Sequence, residues 1–272
     1  MLVQTKNFID SLKTALDILE YVNYKIPKLN DNVSDFILLI PNYPYLEIFV
    51  TNSYVIYSAK IPTIGEYNLS RSIIFYCYQA QQIIEFLKKS NLGYIDIYEN
   101  KLNEDLLLNK DPLTNGIGVG IYNVDYDYPH LSYPMENQVE KIIRFKTEEF
   151  KNIMKELKSL RRNINSSDKK YFGIPDYLRL KFINNKLNIS LDNIYGYFSL
   201  TPVIETSDLN MLDKDIILSF NIIERIIRNI KTEETFLYMD KSKQIVQFTP
   251  KIDDKLYIVK LERFITQQKT YF

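Results

Sequence analysis

The sequence predicts an α+β protein of two similar domains, each built from two helix-plus-β-meander repeats with the helices on one face. Three observations predict it. The chain carries 22 Tyr and 15 Phe with abundant Ile and Val, against only 7 Gly and 10 Pro. That composition suits pleated strands and excludes collagenous or low-complexity chains. Four segments place apolar residues at helical spacing. After each come short β-branched or aromatic runs separated by turn-forming residues, giving an internal period of roughly 60 to 70 residues.

In the first repeat, Phe8, Ile9, Leu12, Ala15, Leu16 and Leu19 make one apolar helix face. Runs 36–40, 45–50 and 54–61 then read as an antiparallel meander. Their breaks are Pro41-Asn42-Tyr43-Pro44 and Thr51-Asn52-Ser53, both rich in turn formers. The second repeat opens with a strand over 72–76, whose apolar run continues into Cys77, the only cysteine. A helix with Ile83, Ile84 and Leu87 inside follows, then a strand over 94–98. Residues 109–115 read as a loop. Gly116, Gly118 and Gly120 alternate with Ile117, Val119 and Ile121 in a strand where backbones approach closely. A phosphate loop is excluded there, because neither a Lys-Ser/Thr pair nor a capped helix follows the glycines.

Residues 122–140 lack any period and are rich in Tyr, Pro and Asp. They read as an extended connection between an N-terminal domain at 1–121 and a C-terminal domain at 141–272. The third repeat begins with a strand over 142–145. Thr147 is placed to cap the next helix, with Glu148 and Glu149 in its first turn, where the helix dipole favours anions. Phe150, Ile153, Met154, Leu157 and Leu160 form its apolar face. Strands over 177–183, 186–191 and 195–203 follow, the first two joined by Asn184-Asn185, residues that tolerate positive φ in a tight hairpin. The fourth repeat has a strand at 215–220, a helix with Ile222, Ile223, Ile226, Ile227 and Ile230 on one side, and strands over 235–238, 244–248 and 256–261.

Lys plus Arg and Asp plus Glu both total 34, so net charge gives no global pull toward nucleic acid, and any such binding must come from where the charges lie. The third helix is the most polarised. Lys151, Lys155, Lys158 and Arg162 recur at i, i+4, i+7 and i+11 beside Arg161, a basic stripe opposite the apolar face. The fourth carries Arg225 and Arg228 with Lys231 away from its Ile seam, and the second ends in Lys88 and Lys89. The first is nearly neutral, with Lys6 and Lys13 against Asp10 and Asp17. An outer charged face is ordinarily just solvated surface. If the repeats set their helices side by side, however, the stripes converge and bind backbone phosphate without reading sequence. Neither a recognition helix nor an aromatic stacking array is evident for base readout.

Chemistry finds no foothold in the sequence. The single histidine, His130, lies beside Pro129 in the connection without a metal-ligating partner. Asp125 and Asp127 are spaced acids in the same Tyr- and Pro-rich stretch. The reading is therefore a non-enzyme without cofactor or metal. One cysteine cannot form an internal disulfide, and the start MLVQTKNFID lacks the order of a signal peptide. A soluble, intracellular protein, nuclear or cytoplasmic, is the expectation.

Three segments together resemble the DNA sliding clamps, the family that includes the bacterial β clamp and eukaryotic proliferating-cell nuclear antigen. DFILLIPNYPYLEIFVTNSYVIYSAKIPTI at 35–64 is similar to the first clamp meander. The stretch from VDYDYPHLSYP to MKELKSL at 124–160 is similar to the interdomain connecting loop, the strand after it and the third helix. ILSFNIIERIIRNIKTEETFLYMDKSKQIVQF and the residues to Leu261 are similar to the last helix and terminal strands. With the repeats between them they span nearly the whole chain.

The resemblance implies a processivity factor that encircles duplex DNA and tethers a polymerase; whether a clamp loader opens the ring is left open by the sequence. Two domains per chain resemble the eukaryotic, archaeal and viral type, which closes as a homotrimer, whereas the three-domain bacterial type closes as a dimer. A viral source agrees with the abundance of Asn, Ile, Lys and Tyr and the lack of Trp, which suggest AT-rich coding. By the family pattern, Lys13, Lys88, Lys89, Lys151, Lys155, Lys158, Arg161, Arg162, Arg225, Arg228 and Lys231 would face the DNA. A partner-peptide pocket would be built from Val50, Tyr54, Tyr128, Leu131, Val259 and Leu261, by β-strand addition beside the connecting loop. The tail ending in Tyr271-Phe272 lacks the aliphatic residue of a clamp-binding peptide. The chain departs from the family in being neutral, where clamps are usually acidic. Two other readings fit the repeats: a clamp-derived monomeric processivity or transcription factor, and a β-repeat scaffold with no DNA role.

Overall fold

The structure is a computed structural model describing residues 1–19, 36–51, 55–65, 69, 71–89, 92–99, 106–109, 118–121, 140–162, 177–191, 197–206, 215–240, 245–250 and 255–260. The chain divides into two compact units, Met1–Ser132 with Asp254–Leu256, and Tyr133–Asp253 with Tyr257–Phe272. Among the described residues no helix is long and apolar enough to cross a membrane.

The first unit begins with a strand that the periodicity does not reveal, β1 (Leu2–Gln4), leading directly into α1 (Thr5–Ile18). Three residues are too few to show alternation. The meander β2 (Phe36–Asn42), β3 (Tyr45–Thr51) and β4 (Val55–Ile64) follows. The second repeat has β5 (Ile73–Tyr76), α2 (Cys77–Lys88), β6 (Tyr94–Glu99), β7 (Leu106–Asn109) and β8 (Gly118–Ile121). Cys77 is thus the first residue of a helix and not the end of a strand. The helix starts there because Gln79 turns back to accept the Tyr76 N–H through Oε1 at 2.9 Å, satisfying one of the donors a helix leaves open. The thiol is buried as expected. β7 is a short run of leucines without alternation, and it takes in Asn109, which the sequence places at the start of a loop.

The two repeats of this unit exchange their leading strands. β5 pairs with β2, the first strand of the other repeat's meander, and β1 pairs in the same way with β6. The ladder then runs β5-β2-β3-β4-β1-β6-β7-β8. Both helices pack on one face. α1 lies against α2, β3 and β4, burying Phe8, Leu12 and Ala15, while Ile83, Ile84 and Leu87 are the buried side of α2. Each large apolar side chain so removed from water contributes about 1.5–3 kcal/mol before entropy is counted.

The second unit repeats this plan. β9 (Glu140–Lys146) leads into α3 (Thr147–Arg162) and the strands β10 (Tyr177–Ile183), β11 (Lys186–Leu191), β12 (Phe198–Leu200) and β13 (Val203–Ile204). β14 (Ile216–Ser219) leads into α4 (Phe220–Asn229) and the meander β15 (Glu234–Asp240), β16 (Ile245–Pro250) and β17 (Lys255–Lys260). Leading strands are exchanged again, β14 onto β10 and β9 onto β15.

The strand expected at 195–203 is two strands, divided at Pro202. Proline has no N–H to continue a ladder, so it fits where a strand leaves one neighbour for another. β12 pairs with β11, and beyond Pro202 the chain crosses to β9, with Val203 opposite Arg144 and Ile204 opposite Ile143. The first unit makes the same transfer at Pro62. β4 pairs with β3 up to Pro62, and then Thr63 and Ile64 pair with Val3 and Leu2 of β1. The runs Ile61-Pro62-Thr63-Ile64 and Thr201-Pro202-Val203-Ile204 occupy equivalent places in the two units.

Two local expectations are met and two are corrected. Asn184 and Asn185 have φ of 52° and 59°, the left-handed pair that a two-residue hairpin needs. Asn185→Val is therefore expected to lower stability by about 1–2 kcal/mol in urea unfolding, and Asn185→Gly to leave it unchanged; equal losses would mean that positive φ does not hold the turn. All five isoleucines of α4 and its end are buried, as the seam predicted. Thr147 does not act as an external cap. It is the first helical residue, fully buried, and its hydroxyl hydrogen-bonds that of Thr235 at 2.8 Å while its N–H donates to the Glu233 carbonyl at 2.8 Å. Leu160 leaves the apolar face and is 44% exposed, because the buried side of α3 is Phe150, Met154 and Leu157.

Candidate nucleic-acid interface

Within each unit the helices pair side by side, and the predicted cations lie on or beside those pairs. In the first unit Lys13 projects from α1, Lys88 closes α2 and Lys89 follows it, all three exposed. Lys13, Lys88 and Lys6 line one groove of about 380 Å³ between α1 and the end of α2, with Thr5, Leu87 and Gly93. Lys6 is not among the residues expected to face DNA, yet it lines this groove with the other two; Asp10 lines it as well, so an acid stands among the three lysines.

The second unit treats its cations unequally. Lys155 and Arg162 are exposed on α3, and Lys231 is exposed just after α4. Lys151 is tied to Glu148 at 2.7 Å, one turn back on the same helix. The hydrogen bond from Lys151, with its charge, holds the Glu148 carboxyl below its usual range. The pair's contribution is thus complete above the ordinary carboxylate pKa and disappears as pH falls through the depressed one. At neutral pH Lys151 therefore faces an ionised carboxylate on its own helix.

The stripe on α3 is not opposite the buried face as predicted; it flanks it on the side toward α4. Lys158 Nζ lies 2.8 Å from Glu224 of α4, and Arg161 Nη1 donates to Asn221 of α4 at 2.7 Å. The Arg161 guanidinium also sits 5.1 Å above the Phe220 ring centre, a cation–π contact. Arg228 lies one turn beyond Glu224, with Nη1 3.6 Å from it, and Arg225 is half-buried. Glu224 and Asn221 are not legible as partners in the sequence, because only the packing of α3 on α4 brings them to residues far earlier in the chain.

At the edge of the same unit, Arg144 of β9 donates to Glu205, just past β13, through Nε at 3.0 Å, and to Glu234 of β15 through Nη1. The Glu205 and Glu234 hydrogen bonds raise its pKa, so it stays charged throughout. It straps the three neighbouring strands β13, β9 and β15 together.

Among the described residues no group of three or more His, Cys, Asp or Glu side chains could hold a metal ion. Of the expected peptide-pocket residues, Val50 is fully buried opposite Tyr57, and Val259 stands in β17 in register with Val246. Tyr54, Tyr128, Leu131 and Leu261 lie outside the described residues, as do His130, most of the connection at 122–140 and the tail to Phe272.

Neither a protein-family model nor a curated protein matches the sequence. Solved structures do match. The chain aligns with the DNA polymerase III beta subunit of Thermotoga maritima at a TM-score of 0.73 and 15% identity, covering 97% of this chain and 65% of that one. It aligns with the pol III beta of Caulobacter crescentus at 0.72 and 10%, covering 97% and 65%. For the DNA polymerase sliding clamp of Bacillus subtilis the values are 0.69 and 13%, covering 99% and 66%. The chain thus spans just under two thirds of the length of these bacterial proteins. Such identities carry backbone architecture and not side-chain roles, and the match takes in nearly the whole of this chain. The chain has the DNA sliding-clamp fold.

Proposed function

We propose that this protein is a sliding clamp: a non-catalytic factor that surrounds duplex DNA and tethers a polymerase to it. The observation that carries the proposal is the pairing of helices on one face of a strand-exchanged sheet unit, with exposed Lys13, Lys88 and Lys89 on one pair and Lys155 and Arg162 on the other. Such a face offers positive charge to a phosphate backbone and nothing that reads bases. With zero net charge, attraction is local to that face, which suits a ring that must hold DNA and still move along it. Tethering then acts through effective concentration, since a polymerase that lets go rebinds intramolecularly.

The finer reading is a homotrimer of two-unit chains, loaded by a separate opener. Sedimentation at micromolar concentration is expected to give three times the 32.3 kDa chain mass; a monomer at every concentration would remove the ring. Duplexes of equal length and unrelated sequence are expected to bind equally, with affinity falling steeply as salt rises. A strong preference for one sequence would contradict backbone recognition.

A further inference from the structure

We infer that Glu224 is a built-in competitor for backbone phosphate, an acid that limits how tightly the α3–α4 face grips duplex DNA. The inference rests on the clamp reading of that face. Glu224 is the sole carboxylate on α4, and it is placed between the two helices and not at their margins. Its side chain is 19% exposed, 2.8 Å from Lys158 Nζ on α3 and 3.6 Å from Arg228 Nη1 one turn further along α4. Both cations retain exposure, 37% and 53%, so a phosphate can reach them from solvent.

A carboxylate offers a cation the same kind of charged oxygen that a phosphate does. A phosphate approaching Lys158 or Arg228 therefore has to displace Glu224, and when the DNA steps away Glu224 is already in place to take the cations back. Lys155 and Arg162 on the same helix have no carboxylate at ion-pair distance among the described residues, so they grip without this competition. The face would then combine uncontested and contested cations, which favours many weak, rapidly exchanged contacts over a few fixed ones.

The test uses the full chain with Glu224→Gln, which keeps the shape and the hydrogen-bond acceptor of the side chain and removes its charge. Duplex affinity at 0.1 M salt is expected to rise about five- to tenfold, and the log–log salt dependence to steepen by roughly one, the signature of one more phosphate contact. Glu149→Gln makes the same change in net charge. Glu149 lies two residues before Lys151 and so points away from the stripe, its ion pair being with Lys146, one residue before α3, at 3.8 Å, and its removal is expected to leave the slope unchanged. Lys158→Ala combined with Glu224→Gln should lose most of the gain.

A fall in thermal stability with an unchanged slope would make Glu224 a structural bridge only and overturn the inference. An equal gain from Glu149→Gln would reduce the effect to net charge and overturn it too. If the wild-type chain shows no salt-dependent duplex binding at all, the clamp reading fails and takes this inference with it; if wild type binds and Glu224→Gln does not differ from it, only the inference fails.

Discussion

Replacing Lys13, Lys88, Lys155 and Arg162 together by alanine is expected to lower duplex affinity on the order of a hundredfold or more at physiological salt, with the fold intact. The reason is counterion release. Each phosphate neutralised by a protein cation contributes about 0.9 to the slope of log affinity against log salt, so four lost contacts flatten the slope by roughly 3 to 4. These four side chains are exposed and make no ion pair within the described residues, so their removal exposes no buried acid. Removing Lys158 and Arg161 instead is expected to do less to DNA and more to the fold, because those two bridge α3 to α4 through Glu224 and Asn221. Fluorescence anisotropy with a labelled duplex over a salt series, alongside thermal unfolding, separates the two cases. A quadruple variant that keeps the wild-type slope would remove these helices from the DNA surface.

The second large effect is in the core. Phe150→Ala is expected to cost about 3–5 kcal/mol, since Phe150 is fully buried and its ring lies 5.0 Å from that of Phe145 on the strand that leads into the helix. Leu160→Ala, ten residues on in the same helix, is expected to cost about 0.5–1 kcal/mol, because that residue is 44% exposed and stands off the buried face. Urea unfolding of both variants checks the contrast. Equal losses would mean that the buried face of α3 has been misplaced and that Leu160 belongs to it.

That contrast also marks how far the sequence could be read. All four helices announced themselves, because a 3.6-residue period over ten or more residues is hard to imitate. The long meander strands were equally plain, and Asn184-Asn185 gave their hairpin to the residue. Short strands escaped: β1 is three residues and β13 two, below the length at which alternation exists. β1 is one of the exchanged leading strands and β13 is the crossing onto β9, so the order of repeats was legible and their full interlocking was not. The Pro-x-Ile runs at Pro62 and Pro202 were the available signal, since a proline in mid-strand asks which neighbour is being left.

For the site, the cations were legible and their partners were not. A basic stripe is a pattern within one helix. Glu224 lies 66 residues from Lys158 and Asn221 60 residues from Arg161, and only the packing of α3 on α4 brings them together. Helical spacing gave the stripe its period but set it opposite the core face, which it flanks, and could not say on which side the neighbouring helix would lie. The electrostatic character of the face, part open and part internally paired, emerges at the level of packing.

The most direct test of the central claim is retention on closed against open DNA. Protein loaded onto a nicked circular plasmid is isolated by gel filtration at a salt concentration that abolishes simple binding, and the plasmid is then cut once. Encirclement predicts that the protein stays with the circle and is lost on linearisation, with retention restored when the ends are blocked by bulky bound proteins. Equal loss from circular and linear DNA, or equal retention on both, would contradict it.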